Sequence, residues 1–208
     1  MSDERARKIK LMLFDVDGVM TDGTIFFFPA PGGGAGASTH EQREQMAGYG
    51  GFGLASTDVI EAKGFNAHDG TGFSLARLGG LKTGIITKRI SETVALRARD
   101  LKIEYVYQGR QEKPAAFYEI LGKEGLSPEQ VCYVGDDIID LPVMRLCGLA
   151  MAVKNARPEV LREAHYVTEH EGGHGAVRDA IEYVLRAQGS LERVMAEYIQ
   201  ARSVAPRS

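Results

Sequence analysis

Lys10-Leu11-Met12-Leu13-Phe14-Asp15-Val16-Asp17-Gly18-Val19-Met20-Thr21-Asp22-Gly23 is the stretch on which the reading of this chain turns. Residues 9–14 form an almost continuous apolar run of strand length, the pattern of a strand covered on both faces. The run stops at two carboxylates one residue apart. Open α/β sheets bind ligands in the crevice beyond the carboxyl ends of their strands, so Asp15 and Asp17 fall where a reaction site is expected. At i and i+2 of extended chain two side chains leave on the same face, and Gly18 lets the backbone turn sharply behind them. Such a pair can divide the work, with Asp15 as nucleophile and Asp17 as general acid and then base. Taken alone, Asp-x-Asp-Gly is equally an acidic turn that closes a strand, and other residues must decide.

Outward from this stretch, residues 24–28 read as a short aromatic strand and residues 29–37 as a Pro/Gly/Ala linker. Residues 38–56 are polar and then Gly-rich, with a return strand expected near 57–67, so that 24–67 makes a β-hairpin flap beside the acidic turn. From Asp69 strands and helices alternate. Helices are expected at 71–78, 91–100, 113–123 and 138–146, and strands at 83–87, 104–107, 130–134, 149–153 and 166–168. This alternation with short connections predicts an α/β fold, a Rossmann-like three-layer αβα sandwich with a mainly parallel sheet. Residues 175–188 carry a stripe of Ala176, Val177, Ala180, Ile181, Val184 and Leu185, and a last helix is expected at 191–202. The domain reading is an N-terminal segment at 1–8, a catalytic domain at 9–189 and a C-terminal helix and tail at 190–208.

The 208 residues suffice for one sizeable core, and 44% hydrophobic with 25% charged residues is an ordinary soluble composition. A formal net charge of -3 leaves no basic excess for nucleic acid or an anionic membrane. No apolar run approaches the roughly 20 residues that span a bilayer, and residues 1–10 are charged rather than signal-like, so the expected location is cytoplasmic. Cys132 and Cys147 stand outside any Cys-x-x-Cys pattern and read as buried thiols.

A second apolar strand runs out into acids at Val131-Cys132-Tyr133-Val134-Gly135-Asp136-Asp137-Ile138-Ile139-Asp140. Magnesium takes oxygen ligands and commonly keeps several waters beside one or two carboxylates. Asp136 is assigned as a direct ligand beside Asp15 and the backbone carbonyl of Asp17. Asp137 is assigned to orient that ligand, with helix N-capping as its alternative role, and Asp140 to brace the loop. A phosphoryl group held at Asp15 needs donors for its oxygens. Thr87 at another strand end and Lys113 at a helix start fit that need.

These four motifs, in this order, resemble the haloacid dehalogenase superfamily of phosphohydrolases. Within it, residues 15–23, Tyr107-Gln108-Gly109, residues 133–143 and Gly172-Gly173-His174-Gly175-Ala176-Val177-Arg178 are similar to the phosphatases of phosphorylated α-keto sugar acids. The resemblance covers most of residues 9–189 except the long insertion. It implies a Mg²⁺-dependent enzyme without a large cap domain, assembling as a homotetramer whose neighbouring subunits help roof the site. The substrate it implies is 3-deoxy-D-manno-octulosonate 8-phosphate, with a nonulosonate 9-phosphate or another sugar phosphate as the alternative.

Two departures bear on the sugar. The family's Thr-Gly-Arg reads here as Thr87-Lys88-Arg89, and its Arg-Asp-Gly as His68-Asp69-Gly70. Arg89 can still pair with a sugar carboxylate, Lys88 adds charge, and His68 is only partly charged near neutrality. Lys88, Arg89 and His68 are therefore the expected substrate-binding residues. A rival class is a phosphoacceptor signalling domain, which uses the same acids, Thr, Lys and Mg²⁺ without turnover. Asp17 argues against it, because it supplies the proton transfer that turnover needs. A scaffold that kept the fold and binds through its flap is the third reading.

Overall fold

The computed structural model describes residues 2–29, 52–53 and 59–203. Its centre is β1 (Leu11–Phe14), all four residues of which are buried. An apolar side chain on both faces of a strand requires cover on both faces, and the flanking elements supply it. β1 pairs in parallel with β5 (Lys82–Ile86) on one side and β8 (Val131–Gly135) on the other, with Phe14 opposite Ile85 and Val134. β7 (Tyr105–Tyr107) lies beyond β5, while β9 (Leu149–Ala152) and β10 (Tyr166–Val167) lie beyond β8. The resulting six-stranded sheet has the order β10-β9-β8-β1-β5-β7 and every pairing in it is parallel. From β1 the chain winds outward through β5 to β7, then returns to β8 and winds the other way. The reversal between β1 and β8 is the topological switch point, the place where such sheets open a crevice.

Helices cover both faces. α1 (Ser2–Ala6), α2 (Ala67–Leu78), α7 (Ala176–Ala187) and α8 (Leu191–Ser203) pack together on one face, and α3 (Glu92–Leu101) packs against α2. α4 (Lys113–Glu124), α5 (Leu141–Met144) and α6 (Pro158–Glu163) cover the other. All six residues of the apolar stripe on α7 are buried, as its spacing implies. Phe14 meets Phe73 of α2 edge to face with ring centres 5.4 Å apart. Cys132 and Cys147 are free and buried.

The insertion between β1 and α2 contributes short strands. β2 (Phe26–Pro29) pairs antiparallel with β4 (Val59–Ala62), which gives the expected hairpin with a return strand shorter than 57–67. β3 (Phe52–Gly53) pairs in parallel with β6 (Arg89–Ile90), a contact the sequence does not announce. Most of the linker and Gly-rich tract, residues 30–51 and 54–58, falls outside the described residues.

Two further differences have local causes. The helix expected over 138–146 is confined to Leu141–Met144, because the chain turns at residues 137–140, with Asp140 N donating to Asp137 O at 2.9 Å. The short helices α1 and α6 are not foreseen. α6 starts on Pro158, whose fixed φ suits a first helical turn, but Val160 is its one buried residue and leaves no periodic stripe to read. Among the described residues no helix is long and apolar enough to cross a membrane.

Candidate active site

The site forms where β1, β5 and β8 end side by side. The Asp15 amide, first beyond β1, donates to Val134 O of β8 at 3.0 Å, which draws the two acidic loops together. Asp15 is buried; its Oδ1 accepts from Val16 N at 2.7 Å and its Oδ2 lies 2.8 Å from Lys113 Nζ. Lys113, at the start of α4, is 1% exposed and also holds Asp140 Oδ1 at 2.7 Å. Tyr133, the largest of the fully buried side chains, donates to the same Asp140 oxygen at 2.8 Å. The other oxygen, Asp140 Oδ2, accepts from the amides of Asp136 at 3.0 Å and Asp137 at 3.3 Å. Asp140 is thus spent on four donors, and it braces the 135–140 loop.

Asp136 is different. Its Oδ1 is buried with no hydrogen-bond partner, and oxygens of Asp15, Asp136 and Asp140 lie within 4.8 Å of one another. A β-carbon on Gly18 would stand 2.1 Å from Asp136 Oδ2, so only glycine lets this carboxylate lie against the 15–18 turn; its φ of +89° is also one that glycine adopts freely. Three carboxylates face one ammonium here. Burial and the neighbouring Asp140 and Asp15 push the Asp136 carboxyl up to about 8. Burial, with Asp140 against the relief from Lys113, pushes Asp15 up to about 7. For Lys113, burial alone disfavours the ammonium, but Asp15 and Asp140 outweigh it and the pKa is raised. Such a donor set fits a hard divalent cation. The side chains of Asp15 and Asp136 and the Asp17 backbone carbonyl would hold Mg²⁺, which would also satisfy the orphaned Asp136 oxygen.

A cleft of about 260 Å³ opens over these groups, lined by Asp15, Asp17, Thr87, Arg89 and Asp136 and also by Lys88, Asp137 and Ile139. Thr87 is buried at the end of β5, where its Oγ1 accepts from Arg89 N at 3.3 Å. The Asp137 carboxylate caps its own turn by accepting from Ile138 N at 2.7 Å. His68 stands apart: it is exposed in the first turn of α2, and its amide donates to Asn66 Oδ1 at 2.7 Å. The neighbouring Asp69 is buried and caps α7 from across the helix pair, accepting from Arg178 N at 2.9 Å. Gly172 and Gly173 back the acidic turn: a β-carbon on Gly172 would meet Gly18 O at 1.7 Å, and Gly173 N donates to Val19 O at 3.0 Å.

The sequence reading missed a third layer. Lys63, just beyond β4, contacts Asp17 Oδ1, and Glu61 of β4 pairs with Arg89 at 3.2 Å. The signal was available as a charged Glu-x-Lys at i and i+2 in an otherwise mixed strand. Tyr133 was hidden for the opposite reason, as one more apolar letter in β8.

Three comparisons bear on this geometry. A family model for haloacid dehalogenase-like hydrolases matches residues 86–181. The 3-deoxy-D-manno-octulosonate 8-phosphate phosphatase of Yersinia pestis is 39% identical over 189 residues, covering 91% of this chain and 86% of that one. The Escherichia coli K12 protein of the same name is 37% identical over 195 residues, covering 94% and 89%. Among solved structures, the Yersinia pestis phosphatase superposes with a TM-score of 0.76 at 38% identity over 92% of this chain and 88% of that one. The Moraxella catarrhalis phosphatase, described in complex with magnesium ion, phosphate ion and a KDO molecule, gives 0.77 at 29% identity over 94% and 97%.

Proposed function

Because this chain belongs to the haloacid dehalogenase-like hydrolase family, and within it to the 3-deoxy-D-manno-octulosonate 8-phosphate phosphatases, we propose that it is a Mg²⁺-dependent phosphomonoesterase acting on 3-deoxy-D-manno-octulosonate 8-phosphate. The observation that carries this reading is Asp15 set 2.8 Å from the buried Lys113, at the rim of a cleft shared with Asp136. Asp15 attacks phosphorus and Asp17 gives a proton to the departing sugar oxygen; Asp17 then takes a proton from the water that splits the aspartyl phosphate. Thr87 and Lys113 donate to the phosphoryl oxygens. When bound, Mg²⁺ neutralises charge on those oxygens. Arg89 and Lys88 face the carboxylate end of the sugar.

The domain carrying this chemistry spans residues 9–189, and the enzyme works as a cytoplasmic homotetramer. Support for assembly is one face of the β2–β4 hairpin, where Phe26 and Phe28 stack with ring centres 6.3 Å apart, each 51% exposed, beside Ile60 at 47%, while Phe27 leaves on the other face. A contiguous exposed apolar patch is the mark of an interface. His68, exposed and not among the residues lining the cleft of its own chain, is proposed to contact substrate from such a neighbour.

A nonulosonate 9-phosphate is the second reading, since Lys88 puts a cation in the cleft where the family's motif has glycine. A phosphate-release screen over octulosonate, nonulosonate and simple sugar phosphates with Mg²⁺ tests both. Multiple turnovers, lost in Asp15→Asn, are expected, with Arg89→Ala raising KM most for substrates that carry a carboxylate. A single stoichiometric burst would instead point to a phosphoacceptor domain.

A further inference from the structure

We propose that Lys63 is a positioning residue for Asp17, delivered to the site by the strand β4. The inference rests on the phosphatase reading above and adds a part that neither the motifs nor the names of the relatives supply. The Lys63 side chain has 0% exposure; its ammonium contacts Asp17 Oδ1 and lies 3.9 Å from Glu61 Oε1. Arg89 closes the group, 3.2 Å from Glu61 Oε2 and with Nε 3.7 Å from Asp17 Oδ2. A buried ammonium is costly unless it is paired, and Asp17 and Glu61 are the carboxylates that face it. Glu61 and Lys63 are two residues apart on an extended segment, so both reach toward the acidic turn from one face. Thr93 Oγ1 ties that segment to α3 by donating to Glu61 O at 3.1 Å.

Asp17 needs such a tether. Its side chain is 23% exposed, and an acid free to change rotamer is seldom within reach of a leaving oxygen. Lys63 holds Oδ1 and leaves Oδ2 to carry the proton. In the first step an Asp15 oxygen bonds to phosphorus, the bond from phosphorus to the leaving oxygen breaks, and the Asp17 proton goes to that oxygen. In the second, water oxygen bonds to phosphorus, the Asp15–phosphorus bond breaks, and Asp17 regains a proton from the water. Lys63 keeps its own protons throughout and acts through Asp17.

A series of aryl phosphates whose phenols run from weak to strong acids tests this without reference to the natural sugar. Proton donation matters most for the poorest leaving group. In Lys63→Met, kcat/KM is expected to fall about 100-fold for the poorest leaving group and only about 3-fold for nitrophenyl phosphate, steepening the dependence on leaving-group acidity. Lys63→Arg, which keeps a cation within reach, is expected to recover most of that loss and is read in the same way if the methionine variant is insoluble. Losses equal across the series in a folded variant, or no loss, would overturn the proposal. A wild-type protein that releases phosphate from none of these esters or sugar phosphates would instead overturn the phosphatase reading.

Discussion

Gly18 and Asp136 occupy each other's space: a β-carbon on the glycine would lie 2.1 Å from one carboxylate oxygen of the aspartate. The Asp136 carboxylate therefore has its place only while residue 18 has no side chain. Gly18→Ala is expected to keep the fold at a cost of about 1–2 kcal/mol for its left-handed backbone, while Mg²⁺ affinity and phosphate release fall about 100-fold or more. Gly80→Ala, with a φ of +78° and nothing within 4 Å of the added carbon, is the matched control. Magnesium titration alongside turnover checks the pair.

Asp140 holds Lys113 and Tyr133 on one oxygen and two loop amides on the other. Removing one partner of a buried ion pair leaves its mate uncompensated, so Asp140→Ala is expected to cost about 3–5 kcal/mol in denaturant unfolding and to abolish activity. Tyr133→Phe removes only one donor and should cost about 1–2 kcal/mol, with turnover largely kept. If the two variants are equally destabilised, Asp140 is not the hub of the loop.

Metal binding should be linked to protons. Without Mg²⁺, Asp136 sits at about 8 and Asp15 at about 7, both above their ordinary 3.8. The folded chain then keeps protons that the unfolded chain has released, so metal-free stability falls as pH rises from the ordinary carboxylate range to about 8. Magnesium replaces those protons. The melting-temperature gain on adding Mg²⁺ is expected to grow across that window, and titration calorimetry in two buffers should show proton release near neutral pH. A gain independent of pH would contradict the geometry.

Asp69, which caps α7, supplies a second pH effect. Burial, opposed by the Arg178 amide it caps, pushes its carboxyl up to about 6. A raised carboxyl stabilises the fold at low pH and loses that contribution as pH rises from 3.8 through about 6. Asn keeps the acceptor without the charge. Asp69→Asn is therefore expected to be neutral or more stable than wild type above about pH 6 and less favourable below, whereas Asp69→Ala loses the cap and about 1 kcal/mol. Thermal melts across pH read both.

The strand-ending acids were legible because they break apolar runs: Asp15 after Phe14 and Asp136 after Gly135 mark strand ends without any knowledge of packing. That these two strands lie side by side comes from the reversal of winding between β1 and β8, which alternation of strands and helices alone does not specify. The Lys63 contact was not legible in the same way. It depends on how β4 lies over the acidic turn, and the connection from β2 gives no local pattern that sets this. Asp69 shows the reverse limit, since the family motif drew attention to its neighbour His68 while it is the Asp69 side chain that turns inward, to the first turn of α7. The short α5 reflects the turn at residues 137–140, which the Asp140 side chain holds by accepting from the amides of Asp136 and Asp137.

Gly172 and Gly173 press on the backbone of Gly18 and Asp22 so closely that no side chain fits between them. The loop bearing Asp15 and Asp17 is buttressed by residues translated about 150 positions later. During synthesis the nascent protein can lay down β1 early, yet its reactive centre matures only after the ribosome has released the segment leading into α7. Latency of the half-made enzyme is thus built into the order in which the ribosome delivers its parts.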